Sequence, residues 1–125
     1  MKGHAAIALA GFVVTSLFFI DFCNFIYACG CASLWAGADA HCNVHQASAS
    51  MHCPACSHGM LGYAAIFGAI VVPQSAVALF LKRGSWMLRL ALVLLLFPVI
   101  GSAVMTAAGL VDHYPVNRIV FRSRV

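Results

Sequence analysis

The residues best suited to chemistry lie in one stretch. Between positions 28 and 59 the chain reads ACGCASLWAGADAHCNVHQASASMHCPACSHG, which holds five of its six Cys and four of its six His. They form three groups: Cys29-x-Cys31, His41-Cys42-x2-His45, and His52-Cys53-Pro54-Ala55-Cys56-x-His58. Thiolate and imidazole are the ligands of zinc, and structural sites join two close ligand pairs through a spacer. Cys42-x2-His45 and Cys53-x2-Cys56 are such pairs. The seven residues between His45 and Cys53 are fewer than the ~12–15 of familiar fingers. They permit a knuckle but leave no room for a helix. The expectation is a metal-binding loop with Cys42, His45, Cys53 and Cys56 as the tightest set. Cys29, Cys31, His41, His52 and His58 are then free for a second ion. Zinc is the first expectation for the metal and copper the second, since Cu(I) also takes thiolates and imidazole suits copper.

Other chemistries fit less well. Attachment of a c-type haem needs C-x-x-C-H, and Ser57 follows Cys56 here. The ligand types would suit a Rieske cluster, but the loop is too short for the β-structure that supports one. A disulfide framework accounts for the Cys and not for the His between them. Thiol–disulfide exchange is the main alternative. Cys53 and Cys56 form a C-P-x-C pair at the edge of an apolar run, where a helix start lowers a thiol pKa. Cys29 and Cys31 would be the second, shuttling pair.

The elements that position this loop are apolar. Residues 5–27, 60–81 and 90–110 are long hydrophobic runs, each within the ~17–25 residues of a membrane-spanning helix. Pro73 and Pro98 lie inside the second and third, where membrane helices tolerate proline because neighbours satisfy the freed carbonyl. Composition agrees. Of 125 residues, 63% are hydrophobic and 8% charged, and Glu is absent; mean hydropathy is +0.97. A soluble domain carries about 25% charged residues, so a soluble globular domain is excluded, and disorder falls with it. The length also excludes a doubly wound nucleotide-binding enzyme. An A-x-A-like Ala38-Asp39-Ala40 follows the first run, but that run exceeds the ~7–15 residues of a signal-peptide core and reads as a span.

The fold class expected is all-α: an integral membrane protein with three transmembrane helices and a Cys/His-rich extramembrane loop. It divides into a first transmembrane helix at 1–27, the metal-binding loop at 28–59, a second helix at 60–81, a basic loop at 82–89, a third helix at 90–111, and a basic tail at 112–125. Ala64-x3-Gly68 and Ala103-x3-Ala107 are small-x3-small pairs suited to helix contacts. Asp21, in the outer half of the first span, is expected to hydrogen-bond near the interface with Asn24. The tail alternates, with Arg118, Arg122 and Arg124 interleaved with Ile119, Phe121 and Val125. That period of two suits a short strand or a basic segment on lipid headgroups.

Loop 28–59 has no Lys or Arg; with the N-terminus inside, Lys2, Lys82, Arg83 and Arg89 fall on the inner side and Arg118, Arg122 and Arg124 on the side of the loop, four against three. The positive-inside rule then puts the loop on the periplasmic or outer side of a bacterial inner membrane. A chain with so little polar surface has few ways to act alone. The functional expectation is a non-enzymatic, metal-binding accessory subunit of a larger membrane complex. Its partners would be larger membrane subunits and the lipid bilayer, and not nucleic acid. A membrane thiol–disulfide oxidoreductase is the alternative, and a copper- or zinc-handling factor the third reading.

Overall fold

The computed structural model describes residues 2–48 and 51–116. It contains α1 (Lys2–Tyr27), α2 (Pro54–Ser57), α3 (Gly59–Phe80) and α4 (Trp86–Val111), with three short 3-10 turns at Leu34–Ala36, Ala38–His41 and Asn43–His45. No strand occurs among the described residues, and the chain is all-α as expected. The alternating tail at 118–125 lies outside them. Three helical stretches, Gly3–Tyr27, Gly59–Phe80 and Trp86–Val111, are long and apolar enough to cross a membrane, which is compatible with an integral membrane protein. α3 runs through Pro73 and α4 through Pro98 without a break.

Local chemistry sets the helix ends. Ser85 caps α4 by accepting the Leu88 N–H at 3.3 Å, as N-cap serines do. α4 therefore begins at Trp86, before the apolar run at 90–110, and takes in Arg89. At its other end the Tyr114 N–H bonds to the Gly109 carbonyl at 2.8 Å and the His113 N–H to that of Leu110 at 3.4 Å, with His113 left-handed at φ 55°. This is a Schellman closure, and it turns residues 112–116 back toward the loop.

α1, α3 and α4 pack against one another. The buried side chains between them include Phe19, Ile70, Val93 and Met105, while Leu9, Phe18, Val72, Leu95, Val99 and Leu110 point outward, as lipid-facing side chains would. A buried polar link crosses all three helices. Thr15 Oγ1 donates to Gln74 Oε1 at 2.8 Å, and Gln74 Nε2 donates to the Val93 carbonyl at 2.9 Å. With no water in a bilayer core, such groups must satisfy each other.

The close helix contacts are not the small-x3-small pairs read from the sequence. Ala64, Ala103 and Ala107 are exposed, and a Cβ on Gly68 would meet nothing within 4 Å. The tight positions are Gly11, where a Cβ would sit 2.5 Å from Val93 Cγ1, and Gly101, where it would sit 2.7 Å from Phe22 Cε1. Spacing along one helix does not say which face the neighbours take. At the end away from the loop, His4 closes the bundle. Its Nδ1 bonds to the Ala78 carbonyl at 3.0 Å, and Arg89 Nη1 donates to its Nε2 at 2.8 Å.

Candidate metal centre

All six Cys are free thiols, and five of them are buried. Two sets converge, with sulfurs within 4.8 Å of one another: Cys23, Cys29 and Cys53, and Cys29, Cys31 and Cys42. Among the described residues these are the groups of three or more His, Cys, Asp or Glu ligand atoms this close together. Cys29 belongs to both. The sixth thiol, Cys56, is half-buried and interacts with Cys31, Cys53 and Cys42. Such a cluster has the geometry to hold a metal ion.

Each thiol is brought in by a local device. Cys23 lies near the C-terminal end of α1. Cys29 and Cys31 flank Gly30, whose φ of +84° lies in the left-handed region that favours glycine and where a Cβ would sit 3.2 Å from the His41 carbonyl oxygen. Asn24 Oδ1 accepts the Gly30 N–H at 2.8 Å, and the Ser33 hydroxyl donates to Asp21 Oδ1 at 2.6 Å. The polar pair near the end of α1 therefore clamps the Cys29–Cys31 segment to the helix. Asp21 makes its bond to the loop, where the sequence suggested Asn24. Cys53 is the N-cap of α2 and Pro54 its first residue, where proline's missing N–H costs nothing. One turn then places Cys56 beside Cys53, the Cys56 N–H bonding to the Cys53 carbonyl at 3.0 Å.

Asn43 is the hub of the loop. Its N–H donates to the Cys29 carbonyl at 2.9 Å. Its Oδ1 accepts the Cys53 N–H at 3.1 Å and the Cys42 thiol at 3.7 Å. Its Nδ2 donates to the Met51 carbonyl at 3.1 Å and to the Tyr114 hydroxyl at 2.7 Å. Tyr114 in turn packs edge-on against Tyr27 at 5.5 Å, and the Tyr27 hydroxyl bonds to the Met105 carbonyl. One residue thus holds three of the cysteines, Cys29 through its backbone and Cys42 and Cys53 through its side chain, and ties them to α1 and α4.

The four loop histidines stand outside both sulfur groups, and all are exposed. His45 faces Asp39 at 3.9 Å and His58 pairs with Asp112 at 3.0 Å. His52 Nδ1 lies 3.1 Å from the Asn43 carbonyl, and the His41 ring lies against Gly37. The set Cys42, His45, Cys53 and Cys56 is not brought together as one group: Cys53 belongs to the first sulfur group and Cys42 to the second, while Cys56 and His45 lie outside both and line the cavity. Cys23, Asn43, Tyr114 and Asp21 carry roles that local spacing missed. For Cys23 the available signal was parity, since it makes the odd five loop thiols an even six.

Crowding sets the acidity of the loop thiols. Cys29 is held far below the usual thiol range by its neighbours Cys23, Cys31 and Cys53. Cys56 is held down to about 3 by Cys31 and Cys53. Burial pushes Cys42 up to about 11, and the thiols donating to Cys29 and Cys56 move upward in turn, Cys31 and Cys53 among them. Within the cluster, negative charge is therefore favoured at Cys29 and Cys56 over their neighbours. A cavity of about 490 Å³ opens beside it, with Phe19, Ile20 and Tyr63 on its helical walls and Cys23, Cys31 and Cys56 at its edge.

The chain matches no protein family, no curated protein and no solved structure in comparisons with each.

Proposed function

We propose that the protein is a small membrane-embedded metal–thiolate protein, an accessory subunit whose metal centre pins the loop to the helix ends. The observation that supports this reading is the gathering of five thiols from α1, the loop and the cap of α2 into two sulfur groups that share Cys29, with Cys56 packed against them. Zinc suits such a set because it binds thiolates tetrahedrally in closed structural sites, and Cu(I) is the second choice. The histidines then serve the frame. His58 with Asp112 joins the start of α3 to the end of α4. The loop faces the periplasmic or outer side of a bacterial inner membrane, because Lys82, Arg83 and Arg89 lie at the opposite end of the bundle and the loop has no base.

Metal analysis of the purified full-length chain beside thiol counting tests the reading. Stoichiometric metal, with thiols that react only after chelation, is the expected result. Metal-free protein whose thiols oxidise and reduce reversibly by electron pairs would favour the oxidoreductase reading instead. One observation supports that second reading: Cys31 and Cys56 interact and both reach the cavity. There a small two-electron oxidant could take two electrons, and the one proton of Cys31, as the Cys31 thiol and the Cys56 thiolate form a disulfide.

A further inference from the structure

The two sulfur groups share a member, which bears on how many ions the centre holds. We infer that it holds two zinc ions bridged by Cys29 and Cys56, with Cys23 and Cys53 completing one ion and Cys31 and Cys42 the other. The inference rests on the metal reading above.

Tetrahedral coordination at about 2.3 Å puts two thiolates on one zinc about 3.8 Å apart. Cys23 and Cys53 are already 3.6 Å apart, and within each group the sulfurs lie inside 4.8 Å. Each group offers three sulfurs where zinc requires four. The remaining thiol, Cys56, lies outside both groups but packs against the same buried cluster and shares the cavity edge with Cys23 of the first group and Cys31 of the second, so it is the donor placed to close both tetrahedra. Two tetrahedra need eight donor positions, and six thiols with two of them shared supply all eight. A single ion would use four and leave two thiols packed beside it without a metal.

Charge separates the possible ions. Two Zn²⁺ with six thiolates carry a net charge of about −2, the same as one Zn²⁺ with four. The second zinc thus adds no unbalanced charge. Two Cu⁺ would leave about −4 beside the apolar walls formed by Phe19, Ile20 and Val44, an environment that penalises each uncompensated charge. The two ions also differ in place. The Cys23 ion links α1 to Cys53 at the cap of α2, whereas the other draws its terminal ligands from the loop alone.

The test is titration of the reduced full-length protein in mild detergent with Co²⁺ as the spectroscopic probe, followed by Zn²⁺. The expected capacity is two Co²⁺ per chain with tetrahedral thiolate absorption. The paramagnetic signal should grow to one equivalent and fall as the second ion enters, because a shared sulfur couples the two spins. Zn²⁺ should displace both. One tetrahedral ion per chain would overturn the paired centre and leave the metal reading standing. Two ions with simply additive signals would overturn the bridge. No binding would overturn both readings. Cys29→Ser should lower the capacity to one ion, and two ions retained in that variant would also refute the bridge. The titration of the unaltered chain decides the matter even if the variant does not fold.

Discussion

At the scale of single residues, the thiols of this loop are not equivalent. Cys56 is the half-buried thiol, reaches the cavity and has its pKa held down to about 3, while Cys42 is fully buried with its pKa raised to about 11. The thiolate is the nucleophile. A lowered pKa keeps Cys56 ionised at every pH above that value, and a raised one keeps Cys42 protonated until the solution is strongly alkaline. In the reduced, metal-free protein, iodoacetamide should therefore modify Cys56 first. Its rate should be nearly flat between roughly pH 5 and 8 and decline only as pH falls through the low pKa. Peptide mapping by mass spectrometry reads the order. A Cys56 rate that rises tenfold per pH unit across neutrality would contradict the assignment.

Asn43 makes a different prediction, because it holds ligands without being one. Removing its side chain leaves the Cys53 N–H and the Tyr114 hydroxyl without their partner, and each orphaned buried group costs about 1–3 kcal/mol. Groups that orient metal ligands typically matter about 10–100-fold in affinity. Asn43→Ala should thus weaken metal binding by roughly that factor in a chelator competition while leaving the number of ions unchanged. Affinity equal to that of the parent chain would remove Asn43 from the positioning role.

At the scale of the elements, the helices are joined by a buried polar link and close glycine contacts in place of a small-residue stripe. Gln74 is the middle of that link, accepting from Thr15 on α1 and donating to Val93 on α4. Gln74→Leu keeps the volume and removes both bonds, leaving the Thr15 hydroxyl unpaired. Measured interhelical hydrogen bonds in membranes average about 0.6 kcal/mol with a maximum near 1.7. The variant should lose stability of about 1–2 kcal/mol in detergent unfolding and keep its full metal content, because the thiols sit near the other end of α1. Loss of metal in this variant would mean that the bundle and the centre fold as one unit. Proline and serine act on the same elements more gently. Ser102 donates its hydroxyl to the Pro98 carbonyl at 2.6 Å, the i to i−4 back-bond of serine within a helix.

At the scale of the whole molecule, most of the helical surface is apolar and points outward, and the polar surface is confined to a loop and two ends. The outward apolar face of this 13.3 kDa chain is, in the proposed reading, a surface for larger membrane subunits. Accordingly, the full-length protein should co-purify with larger subunits in mild detergent, and native mass should exceed that of the single chain in its micelle. Migration as a free monomer would refute the accessory-subunit reading. The thiol cluster bears on the same scale, since it crosses from α1 to the loop and the cap of α2. Chelation should expose the loop to protease before it affects the helices, for a loop with little apolar core depends on its ligands.

Much of this architecture was legible from the order of residues alone. Three apolar runs of spanning length dictate three helices, because a backbone in hydrocarbon must satisfy its own hydrogen bonds. The concentration of Cys in 28–59 marked the segment that supplies four of the five thiols in the two sulfur groups. Tertiary structure decided the membership of the cluster. Local spacing treats Cys42 and His45 as partners because they are three apart, yet the 3-10 turn at Asn43–His45 carries the imidazole to Asp39. Cys23 belongs to another element and joins only because α1 ends beneath the loop. The same holds for Asn43, whose polar contacts reach from Cys29 to Tyr114 across most of the sequence. Contacts between residues distant in the chain leave no periodicity to read. They arise when helices of fixed length pack and bring their ends together.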